Sequence, residues 1–251
     1  MPILPQKPRD LTEILTASFE LFTECFTKII GYSLCMFVLN SLLRFFLFDK
    51  IPIPDTTLST EAQMQEQMAA LLQVLPSILA MSGVVMLASC VFYSAMLYRI
   101  DNVARGRVDD FFGTLLQPIN KIPSIFLAGI LYAIAVTVGC FLLLIPGIIL
   151  MMSLIFFGYF ILLENFGVIQ SLTASHRLVW GDWWRTNIVF FVPGFIFFII
   201  VFVMIFLVAL IAGPSSMIIS VSSDLLSAIA TPYFSVLGYL QYHDLKLRKN
   251  M

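Results

Sequence analysis

The sequence predicts an all-α, polytopic membrane protein, and two uncharged stretches are the first reason. Residues 122–163 and 186–223, which are 42 and 38 residues long, contain no Asp, Glu, Lys or Arg. A helix needs roughly 20 apolar residues to cross a bilayer, so each stretch is about two crossings long. Composition is the second reason, since 60% of the 251 residues are hydrophobic and 12% are charged, against about 25% charged residues in soluble domains. We therefore expect a single integral membrane domain over residues 1–251.

Six membrane-spanning helices are expected, because a helix satisfies its own backbone hydrogen bonds inside lipid. Proline and glycine divide the uncharged stretches. Pro146 and Gly147 separate the third span from the fourth, and residues 213–216, Gly-Pro-Ser-Ser, follow the fifth. Pro232 predicts a kink in the sixth. The predicted spans are residues 28–48, 74–98, 123–144, 148–163, 187–211 and 225–242.

The distribution of lysine and arginine predicts the orientation of these spans. In a six-span arrangement, 12 of the 14 basic residues lie on one side, and Arg44 and Lys50 lie on the other. Basic residues are enriched in cytoplasmic segments, so both termini are expected in the cytoplasm. Arg44 is expected to snorkel to the outer boundary. The first ten residues lack the layout of a cleavable signal peptide, so the first span should stay in the mature protein.

Three repeat-like units are predicted, each consisting of an amphipathic helix on the cytoplasmic side and a hairpin of two spans. The units cover about residues 10–98, with an outer insertion at 49–75, then 108–163 and 167–244. The first and third units share Leu-Thr-Ala-Ser, at residues 15–18 and 172–175. Chance is the alternative explanation, since a four-residue match is common in apolar sequence of low complexity.

The first amphipathic helix has the clearest periodicity. Its apolar positions recur at helical spacing and are Leu11, Ile14, Leu15, Ser18, Phe22, Cys25, Phe26 and Ile29. Its polar positions fall on the opposite face and are Thr12, Glu13, Thr16, Glu20, Thr23, Glu24 and Thr27. Such helices normally lie in the membrane interface with the apolar face in the headgroup boundary, so we expect an interfacial helix here.

Interfacial anchoring is the predicted role of six residues, which are Trp180, Trp183, Trp184, Lys28, Lys121 and Arg185. The three tryptophans fall within five positions, and tryptophan is enriched at the lipid–water boundary. The three basic residues each stand at the mouth of a long span. An aromatic cage for a ligand is the alternative interpretation of the tryptophan cluster.

Catalytic and metal-binding patterns are absent from the sequence. Two histidines, His176 and His243, are too few for a histidine metal site, and no nucleophile elbow or phosphate-binding loop is present. The four cysteines lack C-x-x-C spacing and are expected to pack as small apolar residues. We therefore expect no cofactor, metal ion or catalytic residue. A net charge of −1 gives no basic field for nucleic acid.

Polar side chains within the predicted spans are few. Ion-coupled transporters usually place ionisable groups at mid-depth, and this chain does not. Hydroxyls such as that of Thr231 are expected to bond to their own helix or to neighbouring helices. The spacing of Gly129, Ala133 and Thr137 predicts a close helix contact. On the cytoplasmic side, ion pairing is expected between the carboxylates of Glu164, Asp182 and Asp244 and the cations of Arg177, Arg185 and Lys246.

Two parts of the chain carry a resemblance to a known family. One contains IPG at 145–147, ENFG at 164–167, IQSL at 169–172, SHRL at 175–178 and GDWW at 181–184; the other is the ending YLQYHDLKLRK at 239–249. Together they resemble the YciC-like family of uncharacterised bacterial inner-membrane proteins, and are similar to the membrane domain of some glycerophosphodiester phosphodiesterases. The resemblance implies a six-span inner-membrane protein. It carries over no catalytic residues, and the phosphodiesterase catalytic domain is absent.

The sequence favours a non-enzymatic protein that serves envelope maintenance as a scaffold or as a partner subunit of a membrane complex. The expected partners are membrane lipids and other inner-membrane proteins. A carrier or flippase for a lipid or apolar solute, with a lateral cavity between the hairpins, is the alternative. A membrane-embedded enzyme has the least support, because no catalytic constellation is visible.

Overall fold

The computed structural model describes residues 7–48, 61–212 and 217–250, and all the regular structure within these ranges is helical. The all-α prediction is therefore confirmed for the described residues. Five stretches in them are long and apolar enough to cross a membrane, and these are Leu11–Phe46, Met68–Ala104, Phe111–Leu142, Leu144–Glu164 and Trp183–Ile211. Three features predicted from sequence, the outer insertion before residue 61, Lys50 and the turn at 213–216, fall wholly or partly outside the described residues.

The described helices, in chain order, are α1 (Leu11–Phe48), α2 (Glu61–Ala104), α3 (Phe111–Leu116), α4 (Ile122–Leu142), α5 (Leu144–Ser153), α6 (Phe157–Glu164), α7 (Val168–Val179), α8 (Trp183–Ala212) and α9 (Met217–Lys249). A 3-10 turn over Ile119–Lys121 leads into α4. Helix α1 packs most extensively on α9 and α2, and α9 also contacts α8, α2 and α7. The first and last helices therefore lie side by side.

Helix α1 joins two elements that the sequence separated. The predicted amphipathic helix and the predicted first span form one helix of 38 residues, because no proline interrupts residues 11–48. The predicted apolar face is right as a pattern. Ile14, Ser18, Cys25 and Ile29 are buried, and the opposite polar positions are exposed. The buried residues of that face pack against protein, as Ile14 does against Val189 of α8 and Leu237 of α9, and the interfacial position expected for the helix stays a prediction.

Helix α2 likewise extends beyond its predicted span of residues 74–98. It runs for 44 residues and contains Pro76. A helix of this length measures about 66 Å, roughly twice the hydrocarbon thickness of a bilayer. Its final turns, which carry Arg99 and Asp101, reach the end of the bundle where α9 finishes.

The turn between α4 and α5 lies close to its predicted position but uses a different residue. Leu143 is the break, in an extended conformation with φ −160° and ψ 135°. Pro146 lies in the first turn of α5, where the missing N–H would have had no helical partner. The two helices approach closely at Gly139 and Gly147. A Cβ added to Gly139 would lie 3.0 Å from the Gly147 Cα. The predicted small face is wrong, since Ala133 and Thr137 are exposed.

The predicted fourth span is interrupted between α5 and α6. Ser175 of α7 bonds to both sides of this break. The Phe156 N–H donates to Ser175 Oγ at 3.1 Å, and Ser175 Oγ donates to the Ser153 carbonyl at 2.9 Å. A buried backbone needs such partners, so α7 completes the fourth span as well as following it.

Helix α7 lies at the start of the third predicted unit, where an amphipathic helix was expected, and is 12 residues long. It ends at Val179, and Gly181 takes a φ of +97°, which glycine adopts without steric cost. Trp183 and Trp184 therefore begin α8. The apolar side of α7, including Ala174 and Leu178, is buried in the protein core.

Helix α9 contains the predicted sixth span but is the exception among the long helices. It is 33 residues long, so it measures about 50 Å, yet it is not among the stretches apolar enough to qualify as a span. Its last third is buried on nearly every side, from Ser235 through Gln241 to Leu245. Its polar side chains in this part, such as Gln241 and Asp244, are buried against other helices. The helix therefore exposes fewer polar groups than its composition suggests.

Candidate functional site

The end of the bundle at which α9 finishes is rich in buried ionic contacts. We call the α9 residues 239–249, together with the side chains bonded to them, the polar end. Its centre is Asp244, which is fully buried. The Arg9 backbone N–H donates to Asp244 Oδ1 at 2.7 Å, and Arg248 Nε and Arg185 Nη2 donate to Oδ2 at 2.8 and 3.3 Å. Both arginines also donate to the Arg9 carbonyl, so the N-terminal segment, α8 and α9 are joined at one point.

Two further carboxylates of the polar end bond to tyrosines of α9. The Tyr239 hydroxyl donates to Asp101 Oδ1 at 2.8 Å, and Arg105 Nε pairs with the same oxygen at 2.8 Å. The Tyr242 hydroxyl donates to Glu164 Oε1, which also pairs with Lys246 Nζ at 2.6 Å. Each carboxylate therefore has a cation and a phenol as partners, and α2 and α6 are held to α9.

His243 lies between these two groups. Its ring centroid is 4.6 Å from that of Tyr239 and 5.3 Å from that of Tyr242. Burial lowers the pKa of His243 to about 4, because the charged imidazolium is poorly solvated there. The nearby charges oppose one another, since Asp101 and Glu164 raise its pKa and Arg105 and Lys246 lower it. The imidazole is therefore neutral at pH 7.

The predicted ion pairs are partly right. Arg185 pairs with Asp244 and Lys246 with Glu164, as expected. Asp182 faces Lys249 instead, at 3.9 Å, while Arg177 is exposed. Arg44 does more than snorkel, because at the opposite end of the bundle it pairs with Asp224 at 3.0 Å.

The six predicted anchoring residues have different surroundings. Trp180 and Trp184 are 59% and 75% exposed, as an anchoring role requires. Trp183 packs partly against the core, and the ring of Trp184 stands edge-on to it with centroids 4.8 Å apart. The anchoring role and the alternative of an aromatic cage both stay predictions.

The three basic residues of that set are also unlike one another. Lys28 is exposed in the middle of α1. Lys121 Nζ donates to the Leu162 carbonyl at 2.6 Å, where the Tyr98 hydroxyl also donates at 2.8 Å. Two donors thus satisfy a carbonyl in the last turn of α6. The positive charge of Lys121 also interacts favourably there with the negative end of the helix dipole. Arg185 belongs to the Asp244 cluster described above.

A partly open cavity of about 430 Å³ lies between helices of the bundle, next to the polar end. It is bounded by α2, the α5–α6 break, α6, α8 and α9. Its lining consists of Tyr93, Ile155, Tyr159, Phe190, Phe197, Ser227, Ala230, Thr231, Phe234, Ser235 and Gly238. We call it the inner cavity. Its volume lies within the range of small-molecule sites, and its walls are aromatic with a few hydroxyls.

Gly238 makes room for a phenol in this wall. A Cβ at this position would lie 2.5 Å from the Tyr159 hydroxyl oxygen. That hydroxyl donates to the Ser235 carbonyl at 3.2 Å. The small residue therefore lets Tyr159 reach the backbone of α9.

A second, apolar groove of about 510 Å³ adjoins the inner cavity. It lies between α1, α8 and α9 and includes Phe19, Phe22 and Ile196. Phe197, Ala230 and Phe234 line both spaces. The inner cavity and this outer groove therefore share part of their walls.

Sequence reasoning missed much of this site. Asp101 and Tyr239 lie on helices far apart in sequence, and no local pattern marks their contact. The hydroxyls of α9 at positions 223, 227, 231 and 235 recur every four residues, which was the available signal for a polar stripe on one face. Of the two partners expected for the Thr231 hydroxyl, its own helix or a neighbour, the structure has the first, since Oγ1 donates to the Ser227 carbonyl at 2.7 Å.

Metal ligation has no support in the described part of the chain, where no three His, Cys, Asp or Glu side chains group together. All four cysteines have free thiols, and Cys25 is buried in the core as a packing residue.

Comparison with known proteins gives one match. The model of a family described as a domain of unknown function, DUF7847, matches residues 110–243, which is more than half of the chain. No curated protein and no solved structure matches. The matched region includes α3 to α8 and most of α9, and therefore most of the inner cavity and part of the polar end.

Proposed function

Starting from the fact that this chain belongs to the DUF7847 family, a domain of unknown function, we propose that it is a six-span bacterial inner-membrane protein that binds and carries a lipid or apolar solute. The observation that carries the proposal is the inner cavity beside the outer groove.

Six crossings agree best with the contact between the two ends of the chain. Arg9 and Asp244 are hydrogen-bonded, so both lie at the same end of the bundle. The chain between them must then cross the membrane an even number of times. Five qualifying stretches leave these residues on opposite sides, whereas α9 as a sixth span brings them together. The α5–α6 pair counts as one interrupted span.

The bacterial inner membrane and cytoplasmic termini are part of the proposal. The polar end contains several basic residues, including Arg105, Arg185 and Arg248, and such residues favour the cytoplasmic side. The choice of a bacterial inner membrane rests on the resemblance to YciC-like proteins at residues 145–184 and 239–249. Trp180 and Trp184 at this end are exposed, which suits a position at the headgroup boundary.

We retain three hairpins as the proposed repeat, with different roles for the preceding helices. The pairs α1–α2, α4–α5 and α8–α9 each pack together. The amphipathic faces at the start of α1 and on α7 are covered by protein, whereas α3 has exposed Phe112 and Leu116. We therefore assign the interfacial position to α3 and retain a single domain for the whole chain.

The carrier proposal gains support from the two adjoining spaces. An apolar molecule that entered the outer groove from the bilayer would meet Phe197, Ala230 and Phe234 before reaching the inner cavity. Small movements of these side chains would connect the two spaces. The sequence favours a scaffold over a carrier. The inner cavity reverses that order, because a scaffold does not need a space for a ligand.

The inner cavity gives no support for catalysis. Its described lining offers hydroxyls but no carboxylate, imidazole, thiol or amine. Acid–base and nucleophilic catalysis need such groups within hydrogen-bonding reach. A non-enzymatic role is therefore the proposal.

Native mass spectrometry after gentle extraction tests the carrier proposal. The full chain is expected to retain lipid or another apolar molecule. Ala230→Trp should reduce retention by filling the boundary between the spaces, whereas Ala133→Trp, on the exposed face of α4, should leave it unchanged. Liposome transfer of a fluorescent lipid should follow the same order. Absence of retained molecules in the parent protein, together with no transfer, would contradict the proposal.

A scaffold or partner subunit for envelope maintenance is the second candidate, and the outer face of α8 favours it. Exposed phenylalanines follow this face at helical spacing, at Phe191, Phe195, Phe198, Phe202 and Phe206. Crosslinking in native membranes should then recover a specific inner-membrane protein attached to α8. Recovery of the bare monomer alone would argue against this second role.

A further inference from the structure

The hydroxyl groups of the inner cavity define which hydrogen bonds it can offer to a ligand. Each serine or threonine hydroxyl has one proton to donate and two lone pairs to accept. Three α9 hydroxyls use their protons on the helix backbone. Ser227 Oγ donates to the Ser223 carbonyl at 2.8 Å, Thr231 Oγ1 to the Ser227 carbonyl at 2.7 Å, and Ser235 Oγ to the Thr231 carbonyl at 2.8 Å.

The Tyr159 phenol is also engaged, since its hydroxyl donates to the Ser235 carbonyl at 3.2 Å. The Tyr93 phenol lines the cavity as well. The hydroxyl protons of Tyr159 and of the three α9 residues therefore have acceptors inside the protein. What these four groups offer a bound molecule is a set of oxygen lone pairs, which accept hydrogen bonds.

The absence of charge in the described lining restricts the ligand further. No Lys, Arg, His, Asp or Glu is among those lining residues. A buried phosphate or carboxylate without donors or a cation is strongly disfavoured, and so is an ammonium group without a carboxylate. The aromatic walls and the adjoining apolar groove suit hydrocarbon.

We propose that the inner cavity binds an uncharged lipid with a free hydroxyl group, of the diacylglycerol or long-chain alcohol class, whose hydroxyl donates to Thr231 and its neighbours while its chains occupy the outer groove. This inference rests on the proposed carrier function and names the class of molecule carried. It distinguishes that class from charged phospholipids and from hydrocarbon without a donor.

Binding of matched probes to the full chain in lipid nanodiscs tests the inference. The probes are dioleoylglycerol, the same molecule with its hydroxyl acetylated, and dioleoyl phosphatidate. Acetylation removes the donor and keeps the chains, so it should weaken binding about fivefold to tenfold, the equivalent of one hydrogen bond. Phosphatidate should bind more weakly than dioleoylglycerol, because its charge meets no cation in the cavity.

Thr231→Val supplies the matched change in the protein, since it keeps the side-chain shape and removes the acceptor oxygen. It should weaken dioleoylglycerol binding severalfold and leave the acetylated probe unaffected. Thr173→Val is the control, because Thr173 also bonds to its own helix backbone but is exposed on α7, outside the cavity. Thr173→Val should bind both probes as the parent does.

The outcomes separate the two proposals. Equal binding of the free and acetylated probes, or preference for phosphatidate, would overturn the inferred class while leaving a lipid-binding protein. A loss of binding on Thr231→Val that is the same for both glycerolipid probes would also overturn it. Failure of all three probes to bind, with no lipid retained from the native membrane, would contradict the carrier function itself.

Discussion

Ser33 and Pro232 form a compensating pair at the level of single residues. Pro232 has no backbone N–H, so the Ala228 carbonyl, one turn earlier in α9, lacks its helical donor. Ser33 of α1 donates its hydroxyl to that carbonyl. Both Ser33 and Ala228 are buried, where an unpaired carbonyl is costly. The proline predicted to kink the sixth span thus creates an acceptor that α1 uses.

A double-mutant cycle tests this compensation. Ser33→Ala should lower the free energy of unfolding by about 1–3 kcal/mol, because it leaves a buried carbonyl unsatisfied. In a Pro232→Ala background the new N–H can donate to Ala228, so the same change should cost less. Unfolding in mild detergent gives the free energies of unfolding of the parent, the two single variants and the double variant. Equal losses in both backgrounds would contradict the pairing.

His243 makes the stability depend on pH in a defined direction. Its pKa falls from 6.5 in the unfolded chain to about 4 in the fold, because burial disfavours the charged form. The unfolded state therefore binds the proton more readily. The contribution of His243 to stability is complete above pH 6.5 and is lost progressively as the pH falls from 6.5 through 4.

His243→Phe isolates that contribution, since phenylalanine keeps a ring between Tyr239 and Tyr242 and cannot be protonated. Between pH 7 and pH 4, the parent should lose up to about 3 kcal/mol more stability than this variant. His176→Phe is the matched control, because that ring lies half-exposed beside Trp180. Unfolding curves at several pH values provide the comparison. Identical pH dependence in the parent and His243→Phe would show that the buried imidazole is not responsible.

At the level of helices, periodicity predicted faces better than it predicted boundaries. The apolar and polar positions of residues 11–29 fall on the buried and exposed sides of α1 as expected. The partner of that face could not be predicted, because a helix packed on protein and a helix lying in the interface show the same amphipathic pattern. Boundaries failed where residues far along the chain decide them, as Ser175 does at the α5–α6 break.

The candidate site was less accessible to sequence reasoning than the helices. Ion pairing among the carboxylates and cations of the cytoplasmic side was expected as a group, but the partners, such as Arg185 and Asp244 at 59 residues apart, were not assigned. The inner cavity could not be located from the sequence, because its walls come from four helices and the α5–α6 break, and its outline depends on how they pack. Positions 227, 231 and 235 share one face of α9, but no pattern in the sequence indicated what that face would meet.

Gly147 should be essential to the contact between α4 and α5. A Cβ there would lie 2.6 Å from the Cys140 backbone nitrogen and 2.8 Å from its Cα, and backbone cannot rotate away. Gly147→Ala should therefore destabilise the protein by about 1–3 kcal/mol. Gly129→Ala, on α4 with no atom within 4 Å of the added group, should be neutral or slightly stabilising. Thermal unfolding of both variants tests the difference, and equal effects would contradict the close contact.

At the level of the whole molecule, Asp244 joins the two ends of the chain. Arg185 and Arg248 approach it from α8 and α9, and the Arg9 N–H approaches it from the N-terminal segment. Asp244→Asn removes the charge that compensates both arginines, and should cost about 3–5 kcal/mol, as for other broken buried pairs. Asp182→Asn, partly exposed and 3.9 Å from Lys249, should cost under about 1 kcal/mol. Comparable losses of unfolding free energy in the two variants would contradict the central role of Asp244 in joining the chain ends.

The contact of Arg9 with Asp244 also makes the number of crossings testable in cells. With six spans, a fluorescent reporter fused after Met251 should be active in the cytoplasm, and an alkaline phosphatase fused there should be inactive. Truncation after Ile211 removes α9 and leaves five spans, so phosphatase fused at that point should be exported and active. If α9 does not cross, the full-length fusion is exported as well, and Arg9 and Asp244 could not meet at one side of the membrane.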